Sequence, residues 1–324
     1  MTKPRILITS IFLHPGDEVD RRLQEAGFET AHHPLTGKRS EEELIALLRG
    51  VDGAIVSVDP FTDRVLAAAP QLKVISRTGV GYDAIDVKAA TARGVVVTTT
   101  PGVNRDAVAD LAFALILCCA RKLPENLAEV RRGGWKRHEG VDLAGKTLGI
   151  VGLGTIGKEV AERARAFKMR IVAHDVAHDL AFAEATGVAY LPLTDLLHQS
   201  DFVSIHCFLS EATRHLINAE RLALMKPTAY LVNTARGGLV DTEALCRALR
   251  EKRIAGAALD VVEEEPLPAD SPLRALDNVY LTPHAAGSTT DARERSGTTA
   301  AENLLRALRG ERPAGIVNPE VLTL

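Results

Sequence analysis

The chain has 324 residues, 46% of them hydrophobic and 25% charged, with a formal net charge of −3. That length accommodates two domains with separate cores, and the charge offers no basic field for nucleic acid and no polybasic patch for a membrane surface. Four cysteines without C-x-x-C spacing and ten histidines without H-E-x-x-H spacing argue against a disulfide framework and a zinc site, so no metal is expected.

The opening "MTKPRILITS" holds an apolar run too short for a signal peptide or a spanning helix, and a soluble cytoplasmic protein is expected. Over the first hundred residues, "RILITS", "GAIVS", "LKVIS" and "GVVVTTTP" are β-branched runs bounded by Gly, Pro or polar residues, and they read as buried strands. Between them "SEEELIALLRG" carries a capping box, Ser40 with Glu43, and stops at Gly50, which predicts a helix. Such alternation implies a parallel sheet with helices on both faces. The third run leads into "SRTGVGYD" (Ser76 to Asp83), at the strand end where open α/β sheets bind ligands. There the N–H groups of Val80 and Gly81 form either an anion nest or an ordinary turn. Arg77 beside them is either a second anion contact or a surface arginine.

From Asn104 to Leu123, "NRDAVADLAFALILCCARKL" is apolar nearly all round, which predicts a buried helix linking two domains or lying in a dimer interface. The following "RRGGWKRHEGVDLAGK" reads as loop and holds the single tryptophan, Trp135, whose exposure would suit a subunit contact. The alternation restarts at "KTLGIVGLGTIG" and runs through "RIVAHD", "FVSIHC", "AYLVNTARGG", "AGAALDVV" and "NVYLTPH". A helix over "DARERSGTTAAENLLRALRG" then precedes a short tail and is free to return to the first unit.

The second series opens on Gly152, Gly154 and Gly157, a G-x-G-x-x-G after an apolar strand and before a helix. In that context the first glycine permits the tight turn, the second lets backbone approach a pyrophosphate, and the third allows close helix–sheet packing. The next strand ends at Asp175, whose carboxylate can accept from an adenosine ribose and would repel a 2′-phosphate. No arginine directly follows it, so NAD is favoured over NADP. Further on, Arg236, Asp260 and His284 each lie at or just past the end of an apolar strand. In a doubly wound sheet those ends share one edge, and the convergence marks a candidate active site. Glu263, Glu264 and Glu265 between them would, taken alone, read as a solvated charge run.

Six segments, "GVGYDAID", "TTTPGVNRDAVADL", "GKTLGIVGLGTIG", "MKPTAYLVNTARGGLVD", "AALDVVEEEPLP" and "LTPHAAGST", together resemble the D-isomer-specific 2-hydroxyacid dehydrogenase family across essentially the whole chain. The resemblance implies two doubly wound parallel-sheet domains of the α/β class. One is a flavodoxin-like split substrate domain (1–102 and 290–324), the other an inserted Rossmann NAD domain (103–289), in a homodimer. It implies Arg236, Glu265 and His284 as the catalytic set; Glu265 is chosen because it alone of the three glutamates directly precedes Pro266. It further implies cofactor contacts at Thr155, Ile156, Cys207, Thr234, Ala235, Asp260 and Gly287, with Asp260 on the nicotinamide amide. Val80 and Gly81, with Arg77 and Arg236, would hold the substrate. Two departures, Phe208 with Ser210 and Thr99, stand where the family commonly has Pro, Thr and Asn.

The implied reaction is hydride transfer between NAD and a D-2-hydroxy acid, with His284 moving the proton, Glu265 holding its tautomer and Arg236 binding the carboxylate. The "ISRTGVGYDAID" segment, similar to that of phosphoglycerate dehydrogenases, makes D-3-phosphoglycerate the first expectation, with Arg77 and Arg105 available to a phosphate and no room for a C-terminal regulatory domain. A hydroxypyruvate or glyoxylate reductase is the alternative. An NADH-sensing corepressor-like binding protein is a further one from a different class.

Overall fold

Each apolar run of the first hundred residues becomes one strand of a five-stranded parallel sheet in the computed structural model, which describes residues 3–35, 37 and 39–323. The strands are β1 (Arg5–Ile8), β2 (Glu29–His32), β3 (Gly53–Val56), β4 (Val74–Arg77) and β5 (Val96–Thr98), in the order β2-β1-β3-β4-β5. Every residue of β3 is buried, and apolar clusters cover both faces of the sheet, as a parallel sheet requires. Strand β2, "ETAH", escapes the sequence reading because it is a half-exposed edge strand with no apolar run.

The chain divides into two units, Met1–Asn104 with Ser288–Leu324, and Arg105–Gly287. The C-terminal helix Thr290–Leu308 belongs to the first unit and packs on β3, β4 and β5. Ser76 Oγ donates to Ala300 O at 2.8 Å, and buried Asn303 donates to Thr99 O at 3.1 Å. Leu304 is fully buried beneath Ile6 and Gly53, so Leu304→Ala would cost about 2–5 kcal/mol. The tail after it closes on β5, where buried Asn318 accepts from Val97 N (2.8 Å) and donates to Val95 O (2.9 Å).

The second unit is a seven-stranded parallel sheet of β6 (Thr147–Val151), β7 (Arg170–His174), β8 (Ala189–Tyr190), β9 (Phe202–Ile205), β10 (Tyr230–Asn233), β11 (Gly256–Leu259) and β12 (Val279–Leu281). Its order, β12-β11-β10-β9-β6-β7-β8, reverses direction between β6 and β9, the switch point where doubly wound sheets open a crevice. Helix Arg105–Arg121 lies within this unit, packed on helix Thr155–Ala166 and on β10 and β11. Its buried Ala, Val, Leu, Ile and Phe side chains explain an apolar pattern that runs nearly all round. Among the described residues, no helix is long and apolar enough to cross a membrane.

Candidate active site

At the switch point the three glycines have three separate physical reasons. Gly152 has φ +96°, and a Cβ there would stand 2.5 Å from Cys207 N, at the end of β9. Gly157 sits so close beneath the turn that a Cβ would lie 2.2 Å from Gly152 O. Gly154 differs: a Cβ would meet no atom within 4 Å, so its missing side chain leaves open space rather than a packed contact. It is the N-cap of helix Thr155–Ala166, whose first intrahelical bond is Lys158 N to Gly154 O at 3.0 Å. The N–H groups of Thr155, Ile156 and Gly157 therefore precede the helical ladder, at the positive end of the dipole and next to the open space left at Gly154.

Asp175 follows β7, with Oδ2 accepting from Leu153 N at 2.7 Å and Oδ1 from Ala177 N at 3.0 Å. A cavity of about 600 Å³ beside it is lined by Gly154, Lys158, Asp175, His178 and Asp179 among others. Lys158 is paired with Asp179 at 2.5 Å, so two carboxylates face one ammonium there, a balance hostile to a 2′-phosphate. Open backbone at Gly154, free helix N–H groups and a carboxylate at the end of β7 fit a dinucleotide carrying two ribose hydroxyls. Lys158 and Asp179 were not singled out by the sequence reading; Lys158 directly follows the last motif glycine, which was the available signal. His206 was missed as well. It follows β9, hydrogen-bonds Ser204 Oγ at 2.8 Å, and burial pushes its imidazole down to about 4, so it stays neutral under the turn. Burial likewise pushes the Cys207 thiol up to about 11, making it a neutral wall.

Beyond β11, buried Asp260 organises the segment that presents His284. Its Oδ1 accepts from Thr282 Oγ1 (2.6 Å) and Ala285 N (2.8 Å), its Oδ2 from Ala286 N (2.9 Å), and its carbonyl from His284 N (2.8 Å). These bonds hold His284 at φ +51°, a left-handed conformation that a non-glycine residue keeps only when its surroundings over-determine it. Gly287 closes the same segment, half-buried.

His284 Nδ1 lies 2.7 Å from Glu265 Oε2, while Glu265 Oε1 accepts from Val262 N at 3.2 Å. Burial opposes ionisation of Glu265, but the His284 hydrogen bond and charge, the Val262 N–H and the Arg236 charge together hold its carboxyl below the ordinary range. A carboxylate can only accept, so Nδ1 carries the proton of the shared bond and Nε2 is left as the exchanging nitrogen. With its side chain 43% exposed, His284 is accessible to a reactant.

Arg236 stands just past β10, ahead of the short 3₁₀ turn Gly237–Leu239, with Nη1 donating to Ala235 O at 2.8 Å. Asn233, fully buried at the strand end, shapes this loop by donating to Arg236 O (2.8 Å) and accepting from Ala235 N (3.0 Å). Thr234, between them, has a buried hydroxyl without a hydrogen-bond partner among the described residues. Asn233 escaped the sequence reading although an Asn closing a strand is a familiar local turn former. Two of the three glutamates are paired, Glu265 with His284 and Glu263 with His215 at 2.6 Å, while Glu264 is exposed.

In the first unit, the segment after β4 is tied by Thr78 N to Val56 O (2.9 Å) and by Thr100 N to Gly79 O (3.1 Å). Val80 is exposed, and neither Val80 N nor Gly81 N has a hydrogen-bond partner among the described residues. The Arg77 guanidinium folds over its own loop, where a Cβ on Gly79 would be 2.5 Å from Nη1. Arg105, in the second unit, lies 3.5 Å from Glu159 and 3.7 Å from Asp106.

Residues 113–286 match the pattern described as D-isomer specific 2-hydroxyacid dehydrogenase, NAD binding domain. A glyoxylate reductase of Korarchaeum cryptofilum is 48% identical over 329 residues, covering 99% of this chain and 97% of that protein. A D-3-phosphoglycerate dehydrogenase of Methanocaldococcus jannaschii is 43% identical over 318 residues, which span 97% of this chain but only 59% of that protein. Among solved structures, a glyoxylate reductase from Paecilomyes thermophila has a TM-score of 0.88 at 32% identity, covering 99% of this chain and 100% of that one.

Proposed function

Because the chain belongs to the D-isomer specific 2-hydroxyacid dehydrogenase family, we propose that it reduces a small unphosphorylated 2-oxo acid, glyoxylate to glycolate or hydroxypyruvate to D-glycerate. The observation that carries the chemistry is the 2.7 Å bond between His284 and Glu265, in the same unit as the glycine turn. The phosphoglycerate substrate expected from the sequence gives way to this alternative. Relatives matched over nearly their whole length bear the glyoxylate reductase name, whereas the phosphoglycerate dehydrogenase extends far beyond the matched region. Arg77, folded over Gly79, and Arg105, facing Glu159 and Asp106, also make less natural phosphate ligands than the sequence implied.

The Thr155–Gly157 N–H groups and Asp175 would hold NADH, which when bound would supply the hydride. The oxygen of the keto group gains negative charge as it is reduced, and His284 Nε2 delivers the proton that quenches it. Glu265 holds the imidazole through Nδ1, so the ring keeps one orientation through both protonation states. Arg236 offers a planar fork to the substrate carboxylate and polarises the carbonyl. Within the first unit, the N–H groups of Val80 and Gly81, without hydrogen-bond partners among the described residues, form an anion nest suited to a carboxylate. The chain is further read as a cytoplasmic homodimer. Leu127 and Val130, exposed on helix Leu123–Arg131, and Trp135 in the loop after it, 81% exposed, are the apolar side chains that a second copy would cover.

The test is a keto-acid panel followed by NADH absorbance, with His284→Ala and Arg236→Ala in parallel. Turnover on glyoxylate or hydroxypyruvate is expected, and each variant should lose roughly 10²–10⁴-fold in kcat while still binding NADH. NADH binding with no turnover on any keto acid would replace this reading with a binding module.

A further inference from the structure

Glu265 and Arg236 stand on two loops whose backbones touch. A Cβ on Gly237 would fall 1.9 Å from Val262 C and 2.4 Å from Glu263 N, so the segment after Arg236 lies directly on the segment that carries Glu265. Nothing about that backbone contact is directional, and sliding by an ångström would part Glu265 from His284. Glu263 supplies the direction. Its Oε1 meets His215 Nε2 at 2.6 Å and lies 3.9 Å from Arg214 Nη2, while its Oε2 accepts from Thr242 N at 3.0 Å, in the first turn of helix Thr242–Arg250.

His215 is itself anchored. It sits at φ +50°, and its N–H donates to Gly238 O at 2.8 Å. Ile217 N then donates to Leu239 O (2.9 Å), and Asp241 N to Ile217 O (3.0 Å). The segment after β9, the turn after Arg236 and the start of the following helix thus form one stitched block. Glu263 is the side chain that fastens the Glu265 loop to it.

We propose that the Glu263–His215 pair is a positioning device for proton transfer, holding the Val262–Glu265 segment in the register that brings Glu265 to His284. This rests on the reading of Glu265 and His284 as the proton-handling pair. Both carboxylate oxygens of Glu263 are taken by protein groups, His215 and Thr242 N. Glu263 acts through the backbone between Val262 and Glu265, in which Val262 N already donates to Glu265 Oε1 at 3.2 Å. Two residues along one loop therefore carry two His–Glu pairs, one fixing the loop and one working from it. Misplacement of a catalytic group by about 1 Å costs on the order of a hundredfold in rate, so the device has a large effect to control.

Three variants test it. Glu263→Ala removes the bridge. Glu263→Gln keeps an oxygen to accept from Thr242 N and turns its amide N–H to His215 Nε2, which then accepts. His215→Asn removes the imidazole with the residue that best tolerates the left-handed backbone there. For Glu263→Ala, kcat is expected to fall about tenfold or more, with KM for NADH changed less than about twofold and melting still cooperative. Glu263→Gln should recover most of the loss, and His215→Asn should fall between. Unchanged kcat in Glu263→Ala, or a loss matched by equal weakening of NADH binding, would overturn the proposal. Should Glu263→Ala not fold, wild-type kcat in both other variants would overturn it. Glu265→Gln, run beside them, separates the two ideas: if it is fully active the proton-pair reading fails, and if it is crippled while Glu263→Ala is not, the positioning role alone fails.

Discussion

Replacing Gly154 by alanine separates a glycine kept for a ligand from a glycine kept for the fold. Its φ of −76° and ψ of −160° suit any residue, and a Cβ would meet nothing within 4 Å. Losing glycine at an N-cap costs a few tenths to about 1 kcal/mol, and the restricted unfolded chain returns about 0.4–1 kcal/mol, so stability should barely change. The methyl group would, however, occupy the opening in front of Thr155, Ile156 and Gly157. Overfilling a tight contact costs about 1–3 kcal/mol, which is about a five- to 150-fold weaker affinity for NADH. The assay is thermal melting with and without NADH, backed by a fluorescence titration. At 100 times Kd the cofactor stabilises wild type by about 2.7 kcal/mol, and a variant bound 100-fold more weakly gains about 0.4 kcal/mol at that concentration. Gly157→Ala is the control, since its Cβ would stand 2.2 Å from Gly152 O and the apoprotein itself should melt earlier. A Gly154→Ala protein with the full wild-type NADH shift would refute the pyrophosphate assignment.

Since the Glu265 carboxyl is held low by His284, Val262 and Arg236, its stabilising contribution is complete above the ordinary carboxyl range and is lost as pH falls through the lowered value. Melting across pH should therefore show Glu265→Gln losing its deficit relative to wild type in acid, and a deficit that stays constant with pH would count against the pair. Arg77→Ala is expected to lower kcat/KM equally for phosphorylated and unphosphorylated keto acids; a selective loss on the phosphorylated one would restore the phosphate reading. Trp135→Asp should shift the protein from dimer to monomer in sedimentation without changing its melting profile as a monomer, and an unchanged dimer would remove Trp135 from the interface.

Much of this protein was legible along the chain because parallel strands buried on both faces must be continuous apolar runs. "RILI", "GAIV", "TLGIV" and "FVSI" announce themselves, and Gly152 and Gly157 of the dinucleotide turn each answer a local steric demand. Edge strands such as β2 and the two-residue β8 carry no such burden and left no pattern. Local sequence also placed Arg236 and His284 at or just past strand ends, whereas Glu265 was picked out of its triplet only by family resemblance. What it could not decide was which acid meets which base. Glu263 and Glu265 are two residues apart with the same side chain, yet one closes on His215, 48 positions away, and the other on His284, 19 positions away. Arg77, an apparent phosphate ligand in the sequence, folds over Gly79. Strand formation and tight turns depend on near neighbours, so they are written in the order of residues. The partner of a charge depends on which loops the finished sheet brings to the same edge, and that is settled only by the tertiary structure.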